Sequence, residues 1–144
     1  MKDYLTQFVK EKKERILSYK NDNNLKDISK KWILEAFKKN YMYNWTWLER
    51  PIIQLPNDIL ATAEIIQKVK PDLIVETGIA HGGSLVFSAS MLSLLDYIEA
   101  LENGILLDPK NPKRKVLAVD IEIREQNLNL IKTNPMSNRT VSYT

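Results

Sequence analysis

The sequence has no cysteine and a single histidine, His81. No disulfide framework and no thiolate metal site can be built from it, and a lone imidazole has no second nitrogen ligand to join in a zinc-type centre. The lack of cysteine agrees with a reducing compartment. An apolar leader is missing too, because Met1-Lys2-Asp3-Tyr4 runs straight into mixed charge. A cytoplasmic location is therefore expected. Long apolar runs are also lacking. One uncharged stretch, Ile79 to Leu95, carries two glycines, a histidine and four serines, and it falls short of a bilayer span. No transmembrane segment is expected, and there is no internal repeat or low-complexity tract. Glycine is scarce as well, at four residues, and Gly78, Gly82 and Gly83 fall in one short loop.

What is present is ordinary for a globular chain. The 144 residues are 44% hydrophobic and 27% charged, with a net charge of +3, which allows one domain of common size. The charge is uneven: residues 1–40 hold 11 Lys/Arg against 6 Asp/Glu. Those lysines interleave with glutamates along amphipathic segments, the pattern of a solvated helix face. Nucleic acid is not an expected partner.

Apolar residues recur at helical spacing over about Asp3 to Lys20 and again from Ile28 to Phe37. Asn21 to Asn24 separates the two helices, and the second ends near Asn40. Tyr41 to Trp47 holds four aromatics in seven residues with no period. It reads as a loop that packs against the domain in preference to lining a pocket. Arg50 to Pro56 is bracketed by prolines and should be extended. Asn57 or Asp58 should then open a helix that Pro71-Asp72 stops. The boundary between an N-terminal helical segment and the rest is set at 1–43 and 44–144.

Leu73-Ile74-Val75-Glu76 is a short apolar run between turn residues, read as a strand buried on both faces of a parallel sheet. A helix from Ser84 to about Leu101 follows the glycine loop. Val116 to Asp120 is a second strand, Arg124 to Lys132 a short helix, and Thr140-Val141-Ser142-Tyr143 the start of a third strand. Helices followed by β-α-β-α-β form the opening of a doubly wound α/β sheet.

In such sheets a ligand lies beyond the carboxyl ends of the strands. Gly78 suits a positive φ at the turn there. Gly82 and Gly83, without β-carbons, would let a ligand approach the backbone. The Gly83 and Ser84 amides would begin the next helix, a place for a carboxylate or phosphate, with the Ser84 hydroxyl as a further donor. Asp120, ending the second strand, has the chemistry to accept two hydrogen bonds from a ribose diol. The dinucleotide pattern G-x-G-x-x-G is not met, and no Gly-Lys-Ser/Thr of a P-loop occurs. Glu76 would sit badly beside a pyrophosphate but suits a cationic amino-acid group. An amino acid joined to an adenosine is S-adenosylmethionine. The expected contacts are Glu76, Gly78, Ala80, His81, Gly82, Ser84 and Asp120. His81 is read as a polar loop residue or an indirect contact, not as a general base. No catalytic residue is assigned.

Three stretches resemble one family. Asn44 to Ile59 is similar to the segment preceding the cofactor domain in the cephalosporin hydroxylase family, which includes rhamnosyl O-methyltransferases. Lys70 to Ser84 resembles that family's first motif, Val119 to Arg124 its second and Asn134 to Arg139 its third, with Asn134 where the family pattern has histidine. The Glu-x-Gly-x-x-x-Gly-x-Ser pattern is also similar to catechol O-methyltransferases. The resemblance implies a Rossmann-like, class I S-adenosylmethionine-dependent methyltransferase fold. It also implies methyl transfer to a hydroxyl of a sugar, lipid-linked glycan or natural product. A divalent cation such as magnesium assists in the complete family members, where its acidic ligands come from later loops that this sequence does not supply.

Only the first three strands of such a sheet are expected here, and the first would stand as an apolar edge. A truncated methyltransferase is the first reading. The alternative is a non-catalytic Rossmann-like binding module or inactive fragment that needs a partner chain. The expected partners are a small-molecule or glycan acceptor and either a second copy or a complementing C-terminal chain.

Overall fold

The structure, a computed structural model, describes residues 2–143. It divides into two compact units, residues 1–41 and 42–144. The first unit holds α1 (Lys2–Asn21) and α2 (Asn23–Lys38). Asp22 separates them in an extended conformation, and its side chain accepts the Leu25 N–H at 2.8 Å, which caps α2. Ala36 is buried, while most larger apolar residues of both helices stay exposed.

A 3₁₀ turn, Tyr41–Tyr43, spans the boundary, and the second unit continues with a two-stranded antiparallel hairpin, β1 (Trp45–Trp47) and β2 (Arg50–Ile52). The aromatic segment is thus partly strand, against the expectation of a loop. The hairpin turns on Leu48 and Glu49, both at positive φ. This is the conformation of a two-residue hairpin turn, normally signalled by Asn-Gly, so no turn signal was there to read. Trp47 packs edge-on against Phe87, with ring centroids 5.0 Å apart, and its indole N–H donates to Ser90 Oγ at 2.9 Å. Trp45 and Trp47 both pack on the core.

Helix α3 (Pro56–Val69) begins at Pro56, slightly before Asn57 or Asp58. Proline's fixed φ and missing N–H suit the first helical position. The helix stops at Lys70 in the left-handed region, just before Pro71. There follow β3 (Leu73–Thr77), α4 (Gly83–Asn103), β4 (Lys115–Val119), α5 (Glu125–Lys132) and β5 (Thr140–Tyr143). The three strands form one parallel sheet in the order β3-β4-β5, with Glu76 beside Ala118 and Val116 beside Thr140. This is a mixed helix-and-sheet unit with a small parallel sheet, compatible with an α/β fold.

One core cluster gathers Ile66 of α3, Leu85, Phe87, Ala89, Leu92 and Leu95 of α4, and Ile131 of α5 around Val116 and Ala118, with Ile74 packed against it. The helices therefore cover a single face of the sheet. β3 is not buried on both faces as its apolar run suggested. Leu73 is 52% and Val75 59% exposed, because they point to the face that no described helix covers and because β3 is an edge strand. α4 is long and apolar enough to cross a membrane by length and composition. Its buried residues instead form the centre of the core.

The N-terminal ends of the strands are tied by buried charge. Asp96 of α4 accepts from Arg114, which precedes β4, and from Arg139 Nη1, before β5, at 2.6 Å. Arg114 Nη1 also reaches Glu99 at 2.9 Å. The Arg114 guanidinium holds the Glu99 carboxyl below its ordinary range. The network fixes where β4 and β5 start, at the opposite end of the sheet from the glycine loop.

Candidate functional site

The loop from Gly78 to Gly82 leaves the carboxyl end of β3 and enters α4. Parallel pairing places the end of β4 beside it. Gly78 N–H donates to Val119 O at 2.8 Å, and Ile79 N–H donates to Asp120 Oδ2 at 2.6 Å. Asp120 Oδ1 accepts from Glu122 N–H at 3.3 Å. These backbone donors, Ile79 first, hold the Asp120 carboxyl below its ordinary value. Oδ2 thus already braces the loop, and Oδ1 is turned to the backbone that follows β4. Their stabilising effect is present above the unfolded pKa and is lost as pH falls through the lowered one.

Glu76 points to the helix-covered face, and the Ser84 hydroxyl donates to its Oε1. The Ser84 proton is therefore directed at Glu76 here. Burial pushes the Glu76 carboxyl above its ordinary value, and the Ser84 hydrogen bond offsets only part of that. The sign of the pH effect follows. Between the ordinary pKa and the raised one the folded chain holds more protons than the unfolded chain, so stability falls as pH rises through that interval. Glu76→Gln removes this slope. Urea midpoints measured from pH 4 to 8 should show the variant gaining on the parent as pH rises, and parallel curves would refute the burial argument.

The glycines divide by use. Gly78 has φ +84 and open space where a Cβ would stand. Gly82, at φ +80, has the Ile131 side chain 2.7 Å from that position, and at Gly83 the Pro51 carbonyl oxygen is 2.1 Å away. The close approach expected of a ligand at Gly82 and Gly83 is made by the chain itself. The first turn of α4 has no side-chain cap, so its early amides stay available.

The tip of the loop is clamped from behind. Ala80, at φ +46, gives its carbonyl to Asn127 Nδ2 at 2.7 Å. The His81 carbonyl accepts from Arg50 Nε at 2.9 Å and from Arg50 Nη2. Arg50 is 7% exposed, and desolvation lowers its pKa. Sequence reading did not single out Arg50 or Asn127. They lie 31 and 47 positions from the carbonyls they hold, and no local pattern marks such pairs.

Two cavities flank the tip and share Ile53, Ala80 and His81 as a wall. One, about 120 Å³, reaches Gln54, Gly83 and Ser84, and the other, about 300 Å³, reaches Glu122, Arg124 and Asn127. Ala80, His81 and Ser84 line them, whereas Glu76, Gly78, Gly82 and Asp120 surround the loop without lining either. Gln54 Oε1 is enclosed with no hydrogen-bond partner. Among the described residues no three His, Asp or Glu side chains cluster as metal ligands.

A family model described as rhamnosyl O-methyltransferase/CmcI matches residues 39–143. No curated protein matches the chain, and no solved structure does. The family description denotes O-methyltransferase activity, and methyltransferases generally use S-adenosylmethionine as the methyl donor. The matched span contains the hairpin, the glycine loop, Asp120 and all three parallel strands, and the chain belongs to the rhamnosyl O-methyltransferase/CmcI family.

Proposed function

We propose that the second unit binds S-adenosylmethionine over the glycine loop and serves O-methyl transfer to a hydroxyl of a sugar, lipid-linked glycan or natural product. The observation that carries this is the pairing of β3 with β4, which sets Glu76 with Ser84 and Asp120 on either side of one loop. The fit is chemical. The uncapped first turn of α4 offers amides to a carboxylate. The enclosed Glu76 carboxyl suits an ammonium, which would take over the place of the Ser84 proton. Asp120 keeps lone pairs for a ribose diol while holding Ile79. Bound there, the cofactor supplies an electrophilic methyl group. The chain's part is to hold and orient it, with Ala80 and His81 forming the wall that both cavities share.

Because an ammonium pairs with ionised Glu76, affinity should rise as pH passes the raised Glu76 pKa, the direction opposite to stability. The test is a calorimetric titration of the full chain with S-adenosylmethionine. A Kd within about 1 µM to 1 mM is expected. Asp120→Ala should weaken it by about tenfold or more, the effect of losing a charge-assisted hydrogen bond. No heat and no thermal shift at saturating ligand would overturn the reading.

A further inference from the structure

Arg50 is a buried cation whose partners are neutral. It donates twice to the His81 carbonyl, and its Nη2 lies 3.5 Å from Asn127 Oδ1. None of the ion pairs among the described residues includes it. This contrasts with Arg114 and Arg139, which are equally buried and share Asp96. A guanidinium left unneutralised inside a protein is costly, so its position asks for a reason.

The geometry supplies one. Asn127 and Arg50 draw the Ala80 and His81 carbonyls toward the protein interior. A trans peptide points its C=O and N–H in opposite directions, and no peptide here is cis. With the Ala80 carbonyl turned to Asn127, the His81 N–H faces the opposite way, while the Gly82 N–H is held by the Ile79 carbonyl at 2.7 Å. The clamp also holds Ala80 at its positive φ, a conformation that a non-glycine residue resists. Both tip carbonyls are thereby occupied, with a positive charge beside them.

We propose that Arg50, seconded by Asn127, is a positioning residue for the carboxylate end of the methyl donor. It fixes the loop tip by occupying its carbonyls, and its charge favours an anion beside the loop. This rests on the loop being an S-adenosylmethionine site. Arg50 does not touch the ligand; it acts through the Ala80–Gly82 backbone and through its field.

The test compares ligands with and without the carboxylate. S-adenosylmethionine, S-adenosylhomocysteine and 5′-methylthioadenosine are titrated by calorimetry into the full chain, at a temperature where circular dichroism shows each variant folded. Arg50→Met should weaken the two amino-acid-bearing ligands by about ten- to a hundredfold and methylthioadenosine by less than about threefold. Arg50→Lys keeps the charge, loses one arm of the fork and should recover part of the loss. Should Arg50→Met not fold, Asn127→Asp carries the same expectation, since it sets an anion beside Arg50 and also removes the donor that holds the Ala80 carbonyl. A purely structural role would weaken all three ligands alike, and that result, or no loss in a folded variant, overturns the proposal. If the parent chain binds methylthioadenosine and S-adenosylmethionine yet shows no such selectivity in the variants, only the role of Arg50 falls. If it binds none of the three, the cofactor reading falls with it.

Discussion

Asp96→Ala should destabilise the second unit by about 3–5 kcal/mol, the cost of removing one partner from a buried ion network. Asp96 is 5% exposed, and it stands between Arg114 at 8% and Arg139 at 3%. Its two oxygens go to different guanidinium groups. Deleting the carboxylate leaves two buried cations; among the described residues Glu99 and a 3.9 Å approach by Asp72 are the acids left near Arg114, and none is paired with Arg139. Domains of this size have only about 5–15 kcal/mol in hand, so the variant should melt far earlier and can fail to accumulate. The exposed Lys38–Glu35 pair provides the contrast. Its removal should shift stability by less than about 0.5 kcal/mol. Urea denaturation of both variants decides the matter, and an Asp96→Ala cost below about 1 kcal/mol would mean that the network is not what fixes the strand starts. Replacing Asp96, Arg114 and Arg139 together by Leu, Met and Met should recover much of the loss, because apolar groups of similar volume carry no desolvation penalty.

Gly83→Ala should be the second large effect. Alanine normally favours a helix over glycine by about 1 kcal/mol, and Gly83 opens α4. Here the new Cβ would stand 2.1 Å from Pro51 O, 2.6 Å from Pro51 C and 2.7 Å from Ile52 Cα. All three are backbone atoms of the β2 hairpin strand, and no rotamer change can move them. The substitution must push the hairpin off α4, breaking the Trp47–Phe87 contact and displacing the Arg50 fork. A cost of about 3 kcal/mol is expected, at the upper end for overpacking. Gly78→Ala serves as the control. It meets nothing within 4 Å and carries only the strain of φ +84, about 1–2 kcal/mol. Should Gly83→Ala prove no less stable than Gly78→Ala in denaturant melts, the hairpin is not seated as described. The loss of Gly83 should also weaken S-adenosylmethionine binding, because Arg50 and Pro51 are neighbours on the same strand.

The order of the elements was legible because it is written in local terms. Apolar periodicity marked α1 and α2, the stretch after the glycine loop marked α4, and short apolar runs marked β3 and β4. Pro71 marked the stop of α3, and Thr140 began the third strand where expected. The loop and its acids were legible as well. Glycines 78 and 82 do take positive φ, Glu76 is the penultimate residue of β3, and Asp120 directly follows the adjacent strand β4. Such residue choices are dictated within a few positions of chain, so a linear reading reaches them.

What each of those residues touches was decided only by the tertiary structure. Gly82 and Gly83 are small so that Ile131 and Pro51 can fit against them. The Ser84 proton goes to Glu76, and both Asp120 oxygens brace backbone amides before any ligand is considered. Val75 looks buried by composition and is exposed by topology, because no described helix lies over its face. The Arg50–Asn127 clamp joins residues far apart in sequence, and its worth depends on burial, which no window of sequence records. The sequence by itself determined the elements, the turn residues and the chemistry offered at the loop, since those follow from local conformational preference and side-chain type. Only folding determined which groups that chemistry faces, since a hydrogen bond or a desolvated charge exists only once distant segments are brought together.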